Sequence, residues 1–162
     1  METIRILMVD DHPIVREGYL RLLERQPELS VVAEASSGEA ALAAYATHTP
    51  DVVLMDLMMP VMDGIEAIEK AKSQYPDVEL VALTSVLEDR SVVKAVKAGA
   101  IGYLLKDTEA EELCKSIKAA AAGKVQLSPE ASTRLMKALQ SGDPLEELTE
   151  RELETLKALS QG

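Results

Sequence analysis

Phenylalanine and tryptophan are absent from this 162-residue chain, and tyrosine occurs only four times. A core must therefore be built from Val, Leu, Ile, Ala and Met, for which an apolar content of 47% is ample. The single cysteine, Cys114, excludes an intrachain disulfide framework and suits a reducing cytoplasm. No apolar run approaches the roughly 20 residues of a membrane span, and the first residues are not a basic stretch leading into an apolar one, so neither a spanning helix nor a signal peptide is expected. Positive charge is also scarce. The chain has 17 Lys and Arg against 28 Asp and Glu, a net charge of −11, of which residues 1–122 carry −9 and residues 123–162 carry −2. Neither part has the basic footprint of a nucleic-acid surface, so an element that contacts DNA is expected outside this chain.

What is present is a βα rhythm. Apolar runs at 4–9, 29–35, 51–56, 78–85 and 101–106 read as five strands, and the stretches 13–25, 37–48, 65–74, 88–100 and 108–123 read as helices between and after them. Pro13 suits a first helical turn, Ser36 or Ser37 caps the second helix, and Gly99 ends the fourth. Thr108 with Glu111 reads as a capping box, and Gly123 as the closing cap. The strands are continuous rather than alternating, as when helices cover both faces of a parallel sheet. A doubly wound, five-stranded parallel α/β domain is thus expected over 1–122. A polar hinge, GKVQLSP, leads to a helix at 129–140, so 123–144 reads as a helical linker. Beyond SGDP at 141–144, residues 145–162 open another helix with Thr149 and Glu152 as capping box. That helix has no partner for Leu153, Leu156 and Leu159, so an incomplete all-α unit with further sequence beyond Gly162 is expected.

Ligands of an open parallel sheet bind at the carboxyl ends of its strands. There the sequence sets Asp10 and Asp11, then Asp56, then Thr84 and Ser85, then Lys106. Adjacent carboxylates repel, and the natural remedy is a hard divalent cation such as Mg²⁺. A cation, a lysine and a hydroxyl are also what a transferring phosphoryl group needs. Neither a Ser/His/Asp or Cys/His triad nor a glycine-rich phosphate loop is evident, which leaves a carboxylate as nucleophile, with Asp56 on the central strand the candidate.

VDDH at 9–12, DLMMPVMDG at 56–64, LTS at 83–85 and GYLLK at 102–106, in that order and each at a strand end, closely resemble a bacterial two-component response regulator. The resemblance covers 1–122 as a receiver of flavodoxin-like fold. LTERELETL at 148–156 resembles the start of a LuxR-type helix-turn-helix, as in the NarL/FixJ class. The resemblance implies phosphorylation of Asp56 by a sensor histidine kinase, or by a small donor such as acetyl phosphate. It implies Mg²⁺ (or Mn²⁺) held by Asp11, Asp56 and the Met58 carbonyl, with Asp10 acting through a water. Lys106 and Thr84 would bind the phosphoryl oxygens, with Ser85 beside them, and Tyr103 would change rotamer with Thr84. It further implies a cytoplasmic protein that is not a conventional enzyme, that dimerises on phosphorylation, and that reaches DNA through a C-terminal domain. A stand-alone receiver acting through protein partners is an alternative. A Mg²⁺-dependent phosphohydrolase of haloacid-dehalogenase type is a more distant one, since that class wants an Asp at position 58.

Two positions depart from the family pattern. Asp107 follows Lys106 where many receivers carry a cis proline, so a trans bond or a strained loop is expected. Met58 and Val86 cannot orient an attacking water, so slow self-dephosphorylation is expected. Met55, Met59 and Met62 read as packing residues, Cys114 as an inert thiol, and His12 and His48 lack the spacing of a zinc site.

Overall fold

The structure is a computed structural model and describes residues 3–59, 62–85, 89–127 and 129–140. The elements alternate as β1 (Ile4–Val9), α1 (Pro13–Glu24), β2 (Leu29–Ala35), α2 (Gly38–His48), β3 (Val52–Asp56), α3 (Gly64–Gln74), β4 (Glu79–Thr84), α4 (Asp89–Ala98), β5 (Gly102–Leu105), α5 (Ala110–Ala121), β6 (Gln126–Leu127) and α6 (Pro129–Gln140). All pairings are parallel, in the order β2-β1-β3-β4-β5-β6. The order reverses between β1 and β3, which creates the crevice where doubly wound sheets bind ligands. No helix among the described residues is long and apolar enough to cross a membrane.

Strand alternation divides the core in two. Ile6, Met8, Leu54, Leu83 and Leu104 pack with Leu23 of α1 and with Leu113 and Ile117 of α5. Leu7, Val9, Val53, Met55, Ala82 and Tyr103 face the opposite side, with α2, α3, α4 and α6. Both faces are covered, so every strand position from Ile6 to Val9 and from Val52 to Met55 is fully buried. Aliphatic packing suffices; the aromatic contribution includes Tyr45, whose ring stacks on Tyr75 at 5.2 Å between centroids.

Ser37 caps α2 by accepting a bond from the Ala40 N–H, and Gly99 closes α4 with φ +118°. The C-terminal part differs from the sequence reading in two ways. Thr108 is not a helix cap. Its N–H bonds to the Leu105 carbonyl in the turn that follows β5, and α5 starts two residues later with Glu109 at the cap position and no side-chain bond. The turn uses the residues that a capping box would have needed. The polar hinge also holds a sixth strand, with Gly102 opposite Gln126 and Tyr103 opposite Leu127. From there α6 packs on α4, burying Ala131, Leu135 and Ala138 in the Tyr103 side of the core. The expected helix beyond residue 144, with its Thr149–Glu152 box, lies outside the described residues.

Gly64 shows how tightly the β3 end is packed. A Cβ there would collide with the Asp56 carbonyl oxygen and lie 2.6 Å from Leu57 Cα, both backbone atoms. Gly18, inside α1, has nothing within 4 Å of its Cβ position. Replacing each by alanine therefore has opposite signs. Gly18→Ala is expected to stabilise the chain by about 0.5–1 kcal/mol through helix propensity. Gly64→Ala is expected to destabilise it by about 1–3 kcal/mol through overpacking. Urea denaturation of the two variants measures both.

Candidate functional site

Parallel register places the site. Val9 lies opposite Met55, and Asp56 opposite Leu83, so the ends of β1, β3 and β4 lie at one edge of the sheet. Asp56 is two residues beyond Leu54 in β3 and therefore shares the α1 and α5 side of the sheet. Asp10, just past β1, and Lys106, just past β5, reach the same place.

The contacts are specific. Lys106 Nζ lies 2.9 Å from Asp10 Oδ2 and 3.3 Å from Asp56 Oδ2, bridging two carboxylates that are wholly removed from solvent. Asp10 Oδ1 accepts the His12 backbone N–H at 2.8 Å, and Asp56 Oδ1 accepts the Met58 N–H at 3.0 Å. Asp11 is partly exposed, with Oδ1 3.0 Å from His12 Nδ1. Lys106 is fixed at both backbone ends: its N–H donates to the Thr84 carbonyl at 2.8 Å, and its carbonyl accepts the Tyr19 hydroxyl at 2.9 Å. The bond to Asp107 is trans, since no cis peptide occurs among the described residues.

Burial raises the pKa of Asp56, and the Asp10 charge adds to it, while the Met58 N–H and Lys106 pull the other way. For Lys106, burial works to lower the pKa, but the two carboxylates outweigh it and the net shift is upward. Tyr19 is pushed up to about 12 by burial, then by the charges of Asp10, Asp56 and Asp107.

Two carboxylates thus share one ammonium, and a third, Asp11, stands beside them. Asp10 Oδ2 and Asp56 Oδ2 are buried against the Lys106 ammonium, and Asp11 Oδ1 lies against the His12 ring. Oxygen-rich and net negative even with Lys106 present, the cluster fits a hard divalent cation.

Other sequence candidates fall into separate positions. Thr84 is buried at the end of β4, one residue past Leu83, and so faces the α4 and α6 side of the sheet. Tyr103 is buried on that same side. Ser85 is exposed beyond Thr84, and the Met58 side chain is 62% exposed, leaving its backbone as its tie to Asp56. Val86 lies outside the described residues. Sequence reasoning missed Arg16, whose Nη1 donates to the Asp10 carbonyl at 2.6 Å, and Tyr19. Their three-residue spacing on α1 puts them on one helix face, a signal that becomes readable only once α1 is laid beside β1.

Comparison with known proteins agrees with this geometry. The family model "Response regulator receiver domain" matches residues 6–118. Transcriptional regulatory protein LiaR of Bacillus subtilis is 40% identical over 163 residues, covering 98% of this chain and 77% of LiaR. Among solved structures, a LuxR-family two-component response regulator from an Aurantimonas species superposes with TM-score 0.81 at 40% identity, covering 86% of this chain and 99% of that one. A structure of two RcsB dimers bound to two parallel DNAs gives TM-score 0.76 at 26% identity, covering 99% of this chain and 78% of that one. A receiver fold, an acidic pocket at its switch point and relatives matched over nearly the whole chain lead to one conclusion: this chain belongs to the response regulator receiver family and is a NarL/FixJ-class response regulator of a two-component system.

Proposed function

We propose that Asp56 is the phosphoacceptor. The observation that carries this reading is its burial at the tip of the central strand, with Lys106 reaching both it and Asp10. An Asp56 carboxylate oxygen attacks phosphorus. The P–N bond of a sensor kinase phosphohistidine breaks, or the P–O bond of acetyl phosphate, and its electron pair stays with the leaving group. The product is an acyl phosphate. Asp11, Asp56 and the Met58 carbonyl, with Asp10 through a water, would hold Mg²⁺ (or Mn²⁺), which neutralises charge on the phosphoryl oxygens. Lys106 pairs with one of those oxygens and the Thr84 hydroxyl bonds another, with Ser85 beside it. Tyr103 repacks in response.

The apolar Met58 side chain offers no hydrogen bond to an attacking water, which favours a long-lived phosphoryl group. The domain plan that suits this reading is a receiver at 1–122, a linker at 123–144 and the opening of a LuxR-type helix-turn-helix at 145–162. The output is phosphorylation-dependent dimerisation and DNA binding in the cytoplasm, as the RcsB dimers on DNA illustrate for a relative. The chain itself performs only its own phosphoryl transfer and dephosphorylation.

Intact mass after incubation with Mg²⁺ and acetyl phosphate tests the assignment. One phosphoryl group is expected on the native chain and none on Asp56→Ala; an adduct on both would place the nucleophile elsewhere.

The charge deficit has a thermodynamic signature. Folding disfavours ionisation of Asp56, because its folded pKa lies above the ordinary 3.8. In EDTA at pH 7, Asp56→Asn is therefore expected to melt higher than the native chain. The gap should close as pH falls through the folded pKa toward 3.8, where the native carboxyl takes up its proton in both states. Adding Mg²⁺ to the native chain at ten times its Kd should contribute about 1.4 kcal/mol, or a few degrees in Tm. Asp11→Ala should lose that increment. Calorimetric melts with and without Mg²⁺ read both effects.

A further inference from the structure

The Lys106 ammonium ends a flexible four-carbon stem, so the place it takes is set first by the backbone that carries it. That backbone lies one residue past β5, beyond the strand itself, and its bond to Asp107 is trans. On one side the Lys106 N–H donates to the Thr84 carbonyl at 2.8 Å. On the other its carbonyl accepts the Tyr19 hydroxyl at 2.9 Å, across 87 residues of sequence.

Tyr19 is well placed to hold it. Its side chain is 8% exposed and packs in the layer that contains Ile6, Met8 and Leu23. Burial, then the charges of Asp10, Asp56 and Asp107, push its pKa up to about 12, so the hydroxyl keeps its proton and donates wherever the acids are ionised. The same helix holds the other half of the ion pair. Arg16, three residues earlier, donates from Nη1 to the Asp10 carbonyl at 2.6 Å and from Nε to Glu34 at 3.0 Å. One face of α1 therefore carries the backbone of both residues in the 2.9 Å contact between Lys106 and Asp10.

We propose that Tyr19 is a positioning residue for phosphoryl transfer, its hydroxyl holding the Lys106 backbone so that the ammonium meets the incoming phosphoryl group. The inference rests on reading Asp56 as the phosphoacceptor and Lys106 as the cation for its phosphoryl oxygens, and adds to them a residue of α1. Tyr19 acts through Lys106, not on the reacting atoms. Without the hydroxyl, the peptide between Lys106 and Asp107 turns toward water and carries the root of the lysine side chain with it. A charge that stabilises a transition state loses much of its effect when displaced by even a fraction of an ångström.

Time courses of intact mass in saturating Mg²⁺ and acetyl phosphate test this on the whole chain. The variants are Tyr19→Phe, Lys106→Ala, the two combined, and Tyr45→Phe. Tyr45→Phe is the control: it deletes the same atom from a ring buried on the opposite face of the sheet, where the hydroxyl has no hydrogen-bond partner among the described residues. Tyr19→Phe should slow phosphorylation by about three- to tenfold, and Tyr45→Phe should leave it unchanged. In the Lys106→Ala background Tyr19→Phe should slow it no further, since the group it positions is gone. A Tyr19→Phe chain that reacts at the wild-type rate overturns the proposal, and so does equal slowing in both backgrounds, which makes Tyr19 a packing residue. Should Lys106→Ala fail to fold, the Lys106 ammonium resonance of ¹⁵N-lysine chains decides: it should move in Tyr19→Phe and stay in Tyr45→Phe, and an unmoved resonance overturns the proposal. All these outcomes leave Asp56 as acceptor. A wild-type chain that gains no phosphoryl group, or an Asp56→Ala chain that gains one, overturns that reading and this one together.

Discussion

The ammonium of Lys106, 2.9 Å from Asp10 and 3.3 Å from Asp56, is the contact on which the carboxyl edge of this sheet depends. Two fully buried carboxylates with no counter-charge would cost several kcal/mol per ion, enough to erase most of a small domain's stability. One lysine offsets much of that cost because it is held in place twice over, by the Thr84 carbonyl on one side and the Tyr19 hydroxyl on the other. The turn after β5 exists to set it there, and α5 begins late as a consequence.

The compensation is incomplete, and that incompleteness makes the edge chemically useful. Asp11 adds a further carboxylate beside the two that share the Lys106 ammonium, so negative charge stays in excess. The upward pKa shift of Asp56, led by burial, is the same deficit seen from the proton's side. A proton, a divalent cation or the replacement of a carboxylate by an amide each relieves it. The chain folds with this excess of negative charge because the aliphatic layers on both faces of β1, β3 and β4 hold the strand tips in register regardless.

Much of this was legible in the sequence for a plain reason. Parallel strands buried on both faces have to be continuous apolar runs, so the residue that ends each run stands at the sheet edge. Asp10, Asp56, Thr84 and Lys106 all occupy such positions. What escaped depends on information that is not local. Gln126–Leu127 is too short to show any periodicity, and it becomes a strand because β5 has an open edge beside it. Thr108 and Glu111 have the right spacing for a capping box but lose to the turn that positions Lys106. Arg16, Tyr19 and His12 contribute only through the direction in which α1 lies against β1, which spacing within α1 does not reveal.

The two faces of the sheet also separate the acid cluster from the residues proposed to respond to it. Asp10, Asp56 and Lys106 lie on the α1 and α5 side, whereas Thr84 and Tyr103 lie on the side that α4 and α6 cover. Under the function proposed above, the Thr84 hydroxyl reaches a phosphoryl oxygen only by turning around the tip of β4 toward the acid side. Any space it vacates opens on the α4 side, where Tyr103 is the largest neighbouring side chain on β5. Tyr103 in turn sits opposite Leu127, two residues before α6 begins. A charge added at Asp56 is therefore connected to α6 through one strand tip, one aromatic ring and a two-residue strand. The part of the chain that the sequence presents as a hinge is packed against the face where that rearrangement would be felt.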